Sequence, residues 1–289
     1  MKILVLGGNG MLGHNFLKSW ENTHIVKVTL RNSYESYQPC SLFNHENSYF
    51  GVDVCLRNNL EGIVDDFLPD AIVNAIGITK QLSDRFNPAI SIEINSLFPH
   101  LLADICKKHG VRLINLSTDC IFSGEKGFYS ELDVSDARDL YGRSKYLGET
   151  SQKNTVTLRK STIGLEYSGY HGLIEWFLNQ SGTVKGYRKA IYSGLITNEL
   201  ANVIEMILIY YPDLSGIWHV ASKPISKYDL LIRLNQRLGR QDIEVIPDST
   251  FICERSLNGH AFEKATGYVA PSWDDMLNKL ADEIKLREK

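Results

Sequence analysis

The chain has 289 residues, 43% of them hydrophobic, and a formal net charge of −3, enough apolar material for a large core shared by two closely joined lobes. Neither this charge nor any basic run makes an electrostatic case for nucleic acid or an anionic membrane surface as a partner. No apolar run approaches the roughly 18 residues that span a bilayer, and the amino terminus lacks the charged and apolar regions of an export signal. Cys40, Cys55, Cys106, Cys120 and Cys253 form neither a CxxC pair nor a Cys/His cluster of zinc spacing, so the sequence reads as a cytoplasmic protein with free thiols and no metal.

In chain order, Lys2-Ile3-Leu4-Val5-Leu6 reads as a buried strand that runs into Gly7-Gly8-Asn9-Gly10-Met11-Leu12-Gly13 and an amphipathic helix over 11–20. Glycines at 7, 10 and 13 permit a tight turn, close backbone approach to a pyrophosphate and close helix packing. Gly7, Asn9, Gly10, Met11, Leu12 and Gly13 are therefore the expected cradle of a dinucleotide, in GxxGxxG spacing rather than the commoner GxGxxG. A second strand over 24–30 ends in Arg31 and Asn32. No carboxylate stands there for a ribose 2′-hydroxyl, and Arg31 suits a 2′-phosphate, which favours NADPH and leaves NADH open. Helices over 56–67, 88–109 and 140–152 alternate with strands over 71–76, 112–116 and 156–158, the rhythm of a parallel sheet covered on both faces. Past Gly164 the rhythm loosens into a short apolar helix over 173–179, a basic and aromatic segment over 184–192, a helix over 198–211 and a strand over 217–221. From Lys223 onward, helix and short strand alternate to a charged final helix. With no linker or repeat the lobes are read as interleaved. Residues 1–165, with about 190–222 returning to them, form a Rossmann-type doubly wound α/β domain, and 166–189 with 223–289 form a smaller α/β substrate-binding lobe.

Two constellations carry chemistry. The apolar run that begins at Arg112 ends in Ser117 and Thr118, and ligands of open parallel sheets gather beyond the carboxyl ends of the strands. Tyr141 and Lys145, in Tyr141-Gly142-Arg143-Ser144-Lys145, share one helical face, so the ammonium stabilises a phenolate against its ordinary pKa of about 10. A phenol tuned in this way donates a proton near neutral pH.

Three segments, Asn74-Ala75-Ile76-Gly77, Ser117-Thr118-Asp119 and Tyr141 to Lys145, give the chain its likeness to a known family. It resembles the extended short-chain dehydrogenase/reductase superfamily over most of its length, and within it the dTDP-4-dehydrorhamnose reductase family of nucleotide-sugar reductases. The resemblance implies that Tyr141 is the acid, that Lys145 lowers its pKa and holds the nicotinamide ribose, and that Thr118 polarises the substrate carbonyl. It places Asn74, Ala75 and Gly77 along the cofactor and Asp53 with Val54 at the adenine, although Asp53 equally reads as a turn aspartate capping the next helix. Asn95, in Glu93-Ile94-Asn95, is implied to orient a helix rather than to catalyse.

On the substrate side the resemblance implies Arg255 at the pyrophosphate, with Asp119 and Cys120 close by. Trp176, Lys185, Tyr187, Arg188 and Lys189 are types suited to a nucleotide diphosphate and a stacked base, and about half of them are expected to be packing or solvated residues instead. Cys120 departs from the aromatic residue of many family members. It stands where similar GDP-fucose epimerase/reductases keep a proton-moving cysteine, yet a buried space-filling thiol is the favoured reading. It also argues against a 4,6-dehydratase, whose signature resembles TDE.

The implied activity is NADPH-dependent reduction of the 4-keto group of a nucleoside-diphosphate 4-keto-6-deoxy sugar in cell-surface polysaccharide precursor synthesis. The alternatives are an epimerase/reductase using Cys120 and an NADP-binding regulatory subunit similar to that of methionine adenosyltransferase. The sequence leaves open the sugar, its nucleotide (dTDP, UDP or GDP) and whether the chain forms a homodimer.

Overall fold

Parallel strands with helical crossovers need both sheet faces covered, and the chain builds that arrangement from its first residues. The structure, a computed structural model, describes residues 1–38, 42–80, 87–169 and 172–287, apart from the side chains of Arg57 and Asn58. Cys40 lies outside the described residues. Strands β1 (Lys2–Leu6), β2 (Ile25–Thr29), β3 (Ser48–Tyr49), β4 (Ala71–Asn74), β5 (Arg112–Leu116), β6 (Thr155–Arg159) and β10 (Gly216–His219) form a seven-stranded sheet in the order β10-β6-β5-β4-β1-β2-β3. The β3-β2-β1-β4-β5-β6 run is parallel throughout. The order reverses at β1, which puts the turn after Leu6 at the switch point where doubly wound sheets bind ligands.

The crossovers α1 (Met11–Trp20), α2 (Arg57–Phe67) and an α4 segment (Phe98–His109), preceded by a short α3 (Pro88–Ile92), cover the sheet. Leu4, Leu6 and Ile72 of the strands pack with Leu60 and Val64 of α2 and with Leu102 and Ile105 of α4 in one core. Alternation in the sequence locates these elements well. One departure is informative: the helical stretch expected over 88–109 is interrupted by a π-helical turn at Glu93–Leu97, a device that recurs at functional sites. A second is that α5 (Leu140–Leu147) stops at Gly148 instead of running to 152. A Cβ on Gly148 would lie 1.9 Å from Asn95 O, so the end of α5 sits directly against the π turn.

The rest of the chain is β7 (Thr162–Ile163), α6 (Leu173–Leu178), β8 (Gly182–Tyr192), β9 (Leu195–Ile196), α7 (Thr197–Tyr210), β11 (Ile225–Ser226), α8 (Lys227–Leu238), β12 (Ile243–Glu254), α9 (His260–Thr266) and α10 (Trp273–Arg287). The basic and aromatic segment over 184–192 is strand β8, with Val184, Ala190 and Tyr192 buried and Lys185, Arg188 and Lys189 exposed. It pairs in parallel with β12, a strand of 12 residues where the sequence suggests only short ones, and antiparallel with β11. By internal contacts residues 1–117, 139–158 and 201–217 form one compact unit, and 118–138, 159–200 and 218–289 another. Among the described residues no helix is long and apolar enough to cross a membrane.

The contact at Gly148 generates a test. Gly148→Ala forces a methyl into the Asn95 carbonyl, and overpacking of this kind costs about 1–3 kcal/mol; the midpoint of urea unfolding is expected to fall accordingly, whereas Gly239→Ala, whose Cβ would meet nothing within 4 Å, suffers only from its left-handed φ of 68°.

Candidate functional site

In the first unit, β1 is followed by Gly7, whose φ of 86° is open to glycine at little cost. The turn closes with the Gly10 amide donating to Gly7 O at 3.1 Å. A Cβ on Gly13 would lie 2.1 Å from Gly7 O, so α1 can approach the strand this closely only without a side chain there. Gly10 caps α1 with no side chain to satisfy the first-turn amides, and Met11-Leu12-Gly13-His14 contains no acid. The amino end of α1 thus offers backbone donors and a positive dipole end to an anion, the chemistry a dinucleotide pyrophosphate requires. Asn9 and Met11 are half-buried and Leu12 is buried beside this turn.

The remaining expected cofactor residues differ in what holds them. Arg31 is exposed just past β2. Asp53 is exposed and closes the turn into α2, its Oδ1 accepting from the Cys55 amide at 3.0 Å and its carbonyl from the Leu56 amide at 3.1 Å. Val54 packs half-buried against the core. Asn74 is buried at the end of β4, donating to Asn115 Oδ1 at 3.0 Å and accepting from the Ile76 amide at 3.2 Å. Ala75 is half-buried, and Gly77 is exposed.

Tyr141 and Lys145 lie on α5, whose start is fixed by Asp139: its Oδ1 accepts the Gly142 amide at 2.8 Å and its Oδ2 the Lys80 ammonium at 2.8 Å. Tyr141 is half-buried. Lys145 is only 6% exposed, and its ammonium donates to Leu116 O at 2.7 Å at the end of β5. Asn95, in the π turn, donates to Ile78 O and Ser144 Oγ at 3.0 and 3.1 Å and accepts from the Ile78 amide at 2.9 Å. It ties the loop after β4 to α5, which is the orienting geometry anticipated for it.

In the second unit, Thr118 caps a single 3₁₀ turn, Asp119–Ile121. Its Oγ1 accepts from the Cys120 amide at 3.1 Å and lies 3.2 Å from Asp119 Oδ1. Burial pushes the Asp119 carboxyl up, against the opposing pull of Arg255, of hydrogen bonds from the Cys120 and Thr118 side chains, and of Lys160. Burial and the neighbouring Asp119 together push the Cys120 thiol up to about 12, although Arg255 sits close by, its Nη1 donating to Cys120 Sγ at 3.5 Å. A cationic neighbour for this cysteine therefore exists, and it does not outweigh desolvation. Arg255 also donates from Nε to Phe122 O at 2.8 Å, so part of its guanidinium is spent on the chain itself.

Two residues of this cluster carry no motif in the sequence. Lys160, whose carbonyl accepts the Asp119 amide at 3.2 Å, is pushed down to about 8 by burial, and Tyr192, at the end of β8, is buried with its hydroxyl unpartnered among the described residues. The backbone hydrogen bond beyond β5 and β6 brings Lys160 to Asp119, Tyr192 lies near enough for Asp119 to perturb it, and sequence spacing gives no sign of either.

The other expected nucleotide-binding side chains fall elsewhere in the second unit, and three of them engage side chains of neighbouring elements. Lys185 pairs with Asp248 at 3.2 Å, the Tyr187 ring lies 5.2 Å from Phe251, and the Arg188 guanidinium lies 4.9 Å from the Tyr228 ring. Trp176 on α6 and Lys189 on β8 are exposed. Among the described residues no group of His, Cys, Asp and Glu is arranged to hold a metal ion.

Residues 1–285 match the family model described as RmlD substrate binding domain. The chain is similar to a dTDP-4-dehydrorhamnose reductase of Aggregatibacter actinomycetemcomitans, 24% identical over 85% of this chain and 82% of the relative. It is also similar to a dTDP-4-dehydrorhamnose reductase of Burkholderia thailandensis, 31% identical over 54% of this chain and 46% of the relative. Among solved structures it shares the fold of the dTDP-4-dehydrorhamnose reductase of Bacillus anthracis in complex with NADP, with a TM-score of 0.76, 18% identity and coverage of 98% of this chain and 99% of that one.

The electrostatics of Cys120 give a direct test. A thiol held near 12 is almost wholly protonated at pH 8, so iodoacetamide mapped by mass spectrometry is expected to leave Cys120 unmodified in the folded chain and to label it once urea unfolds the protein.

Proposed function

The chain belongs to the dTDP-4-dehydrorhamnose reductase family of short-chain dehydrogenases/reductases, a family of nicotinamide-dependent oxidoreductases, and on that premise we propose that it uses NADPH to reduce the 4-keto group of a nucleoside-diphosphate 4-keto-6-deoxy sugar. The product would serve as a precursor of cell-surface polysaccharide. The observation that carries the reading is the buried Lys145 ammonium, held on Leu116 O one helical turn beyond Tyr141.

When bound, the dinucleotide would supply a hydride to the keto carbon. Gly7, Gly10 and Gly13 with the amino end of α1 would hold its pyrophosphate, and Arg31 would take the 2′-phosphate in a charge-assisted pair. Lys145 would hold the ribose and stabilise the Tyr141 phenolate. As negative charge gathers on the carbonyl oxygen, the Thr118 hydroxyl donates a hydrogen bond to it, and the Tyr141 phenol gives up its proton to form the alcohol. Cys120, kept protonated by burial, has no part in the proposed chemistry. Asp119 adjoins the substrate, Trp176 and Tyr187 offer faces to a base, and Lys185 and Arg255 offer positive charge to a diphosphate.

Two measurements test these roles. Tyr141→Phe keeps the ring and removes the proton, so kcat for NADPH oxidation with a 4-keto-6-deoxy sugar nucleotide generated in place is expected to fall about 10²–10⁴-fold with NADPH binding, read by fluorescence, retained; full turnover would remove Tyr141 as the acid. Arg31→Ala is expected to raise the KM for NADPH by about 10-fold or more, the worth of one charge-assisted hydrogen bond, while leaving that for NADH nearly unchanged; equal effects on both cofactors would reject the 2′-phosphate contact.

A further inference from the structure

A threonine hydroxyl has one proton to donate and two lone pairs to accept with. At Thr118 one lone pair is taken by the Cys120 amide at 3.1 Å. The neighbouring Asp119 Oδ1 lies 3.2 Å from the same oxygen. If Asp119 is a carboxylate, it can only accept, and the single Thr118 proton is committed to it. What Thr118 then presents outward is a lone pair, which repels a carbonyl oxygen. If Asp119 is a carboxylic acid, it donates to Thr118, both lone pairs are used, and the Thr118 proton is released to point at a substrate. Crossing from one arrangement to the other moves no heavy atom.

We propose that Asp119 acts as a neutral acid that turns the Thr118 hydroxyl outward as a donor, a positioning residue for carbonyl reduction. The inference rests on the reading of Thr118 as the carbonyl-binding hydroxyl. One feature besides the hydrogen-bond count supports it: Asp119 is 6% exposed, and burial favours its neutral form.

The groups that face Asp119 are Cys120 on its own turn, Lys160 beyond β6, Tyr192 at the end of β8 and Arg255 beyond β12. Arg255, hydrogen bonds from the Cys120 and Thr118 side chains, and Lys160 favour ionisation and set an upper limit to the pH at which the acid survives. The sign follows: the competent form is present below the Asp119 pKa in the folded chain and is lost as pH rises through it. Activity should therefore carry a basic arm to which Asp119 contributes below the arm set by the Tyr141 proton donor.

The test compares pH profiles of kcat for NADPH-dependent reduction, with folding checked by thermal melting and by NADPH fluorescence. Asp119→Asn keeps a donor toward Thr118 at every pH. It is expected to retain more kcat at neutral pH than Asp119→Ala, by keeping one ordinary hydrogen bond, and to move the midpoint of the basic arm upward, toward the arm that the Tyr141 phenol sets by itself. Asp119→Ala, lacking the donor, should lose activity about 10-fold or more, as removal of an oriented donor does. Lys160→Met removes a neighbouring cation and should also move the arm upward. An arm left unchanged in Asp119→Asn, or a loss in that variant equal to the alanine loss, overturns the proposal. So does disappearance of the arm in Lys160→Met, which would assign it to the lysine. Where Asp119→Ala does not fold, the comparison of Asp119→Asn with the parent decides alone. Thr118→Val separates the two levels of the argument: undiminished kcat removes the carbonyl role of Thr118 itself, whereas a collapsed kcat leaves that role standing and confines any failure to Asp119.

Discussion

Helix α5 owes its position to polar side chains buried between it and the sheet. Asn115 on β5 accepts from Asn74 on β4 and donates to Gly148 O at 3.1 Å at the helix end. Ser96 Oγ donates to Ser144 O at 2.8 Å, and Asn95 reaches both Ser144 and the loop after β4. Each such bond adds only about 0.5–1.5 kcal/mol net, but a partner left unpaired in this interior costs about 1–3 kcal/mol. The network therefore works as a register lock. Sliding α5 by one residue would orphan several groups at once, and it would carry the Lys145 ammonium off Leu116 O.

The second unit solves a different problem, that of keeping charge in a dry interior. Arg159 is buried with its guanidinium 5.5 Å from the Phe122 ring, which stacks on Tyr129 at 4.1 Å. It donates to His219 Nε2 at 3.2 Å, and His219 Nδ1 in turn meets Tyr129 O at 3.0 Å. Only one tautomer satisfies both contacts, with the proton on Nδ1. Burial first, and the arginine second, push His219 down to about 3, so this imidazole stays neutral across the physiological range. The same unit buries Asp119 beside the half-buried Lys160, and the cost of desolvation bears on whether the two exist as charges.

What the sequence discloses and what it withholds follow from the range of the interactions involved. The strand, glycine turn and helix over residues 2–20 are legible because local rules specify them: an apolar run, glycines at three positions and a 3.6-residue period. The boundaries of β5 are equally plain. The π turn at Glu93–Leu97 is not, since its cause includes the close approach of Gly148, more than 50 residues away. Arg255 is placed at a substrate pyrophosphate by the family resemblance alone, and its contacts with Cys120 and Phe122, more than 130 residues distant in the chain, are not legible in the sequence. Lys185 and Tyr187 read as ligand side chains because basic and aromatic types bind nucleotides. In the folded chain the same types also pack along β8 and β12, and composition cannot tell the two uses apart.

Gly77 shows how a fold can keep space without defending it. A methyl group there would come within 3.4 Å of Asn95 Oδ1 and 3.8 Å of the Lys145 ammonium, ordinary contacts that require no rearrangement. The residue is exposed, and its backbone is not among those with positive φ. Its glycine therefore does little for folding, and a larger side chain would be tolerated by the scaffold while crowding the flank of Lys145. At such a position a substitution changes what surrounds the Lys145 ammonium while the thermal stability of the scaffold records almost nothing.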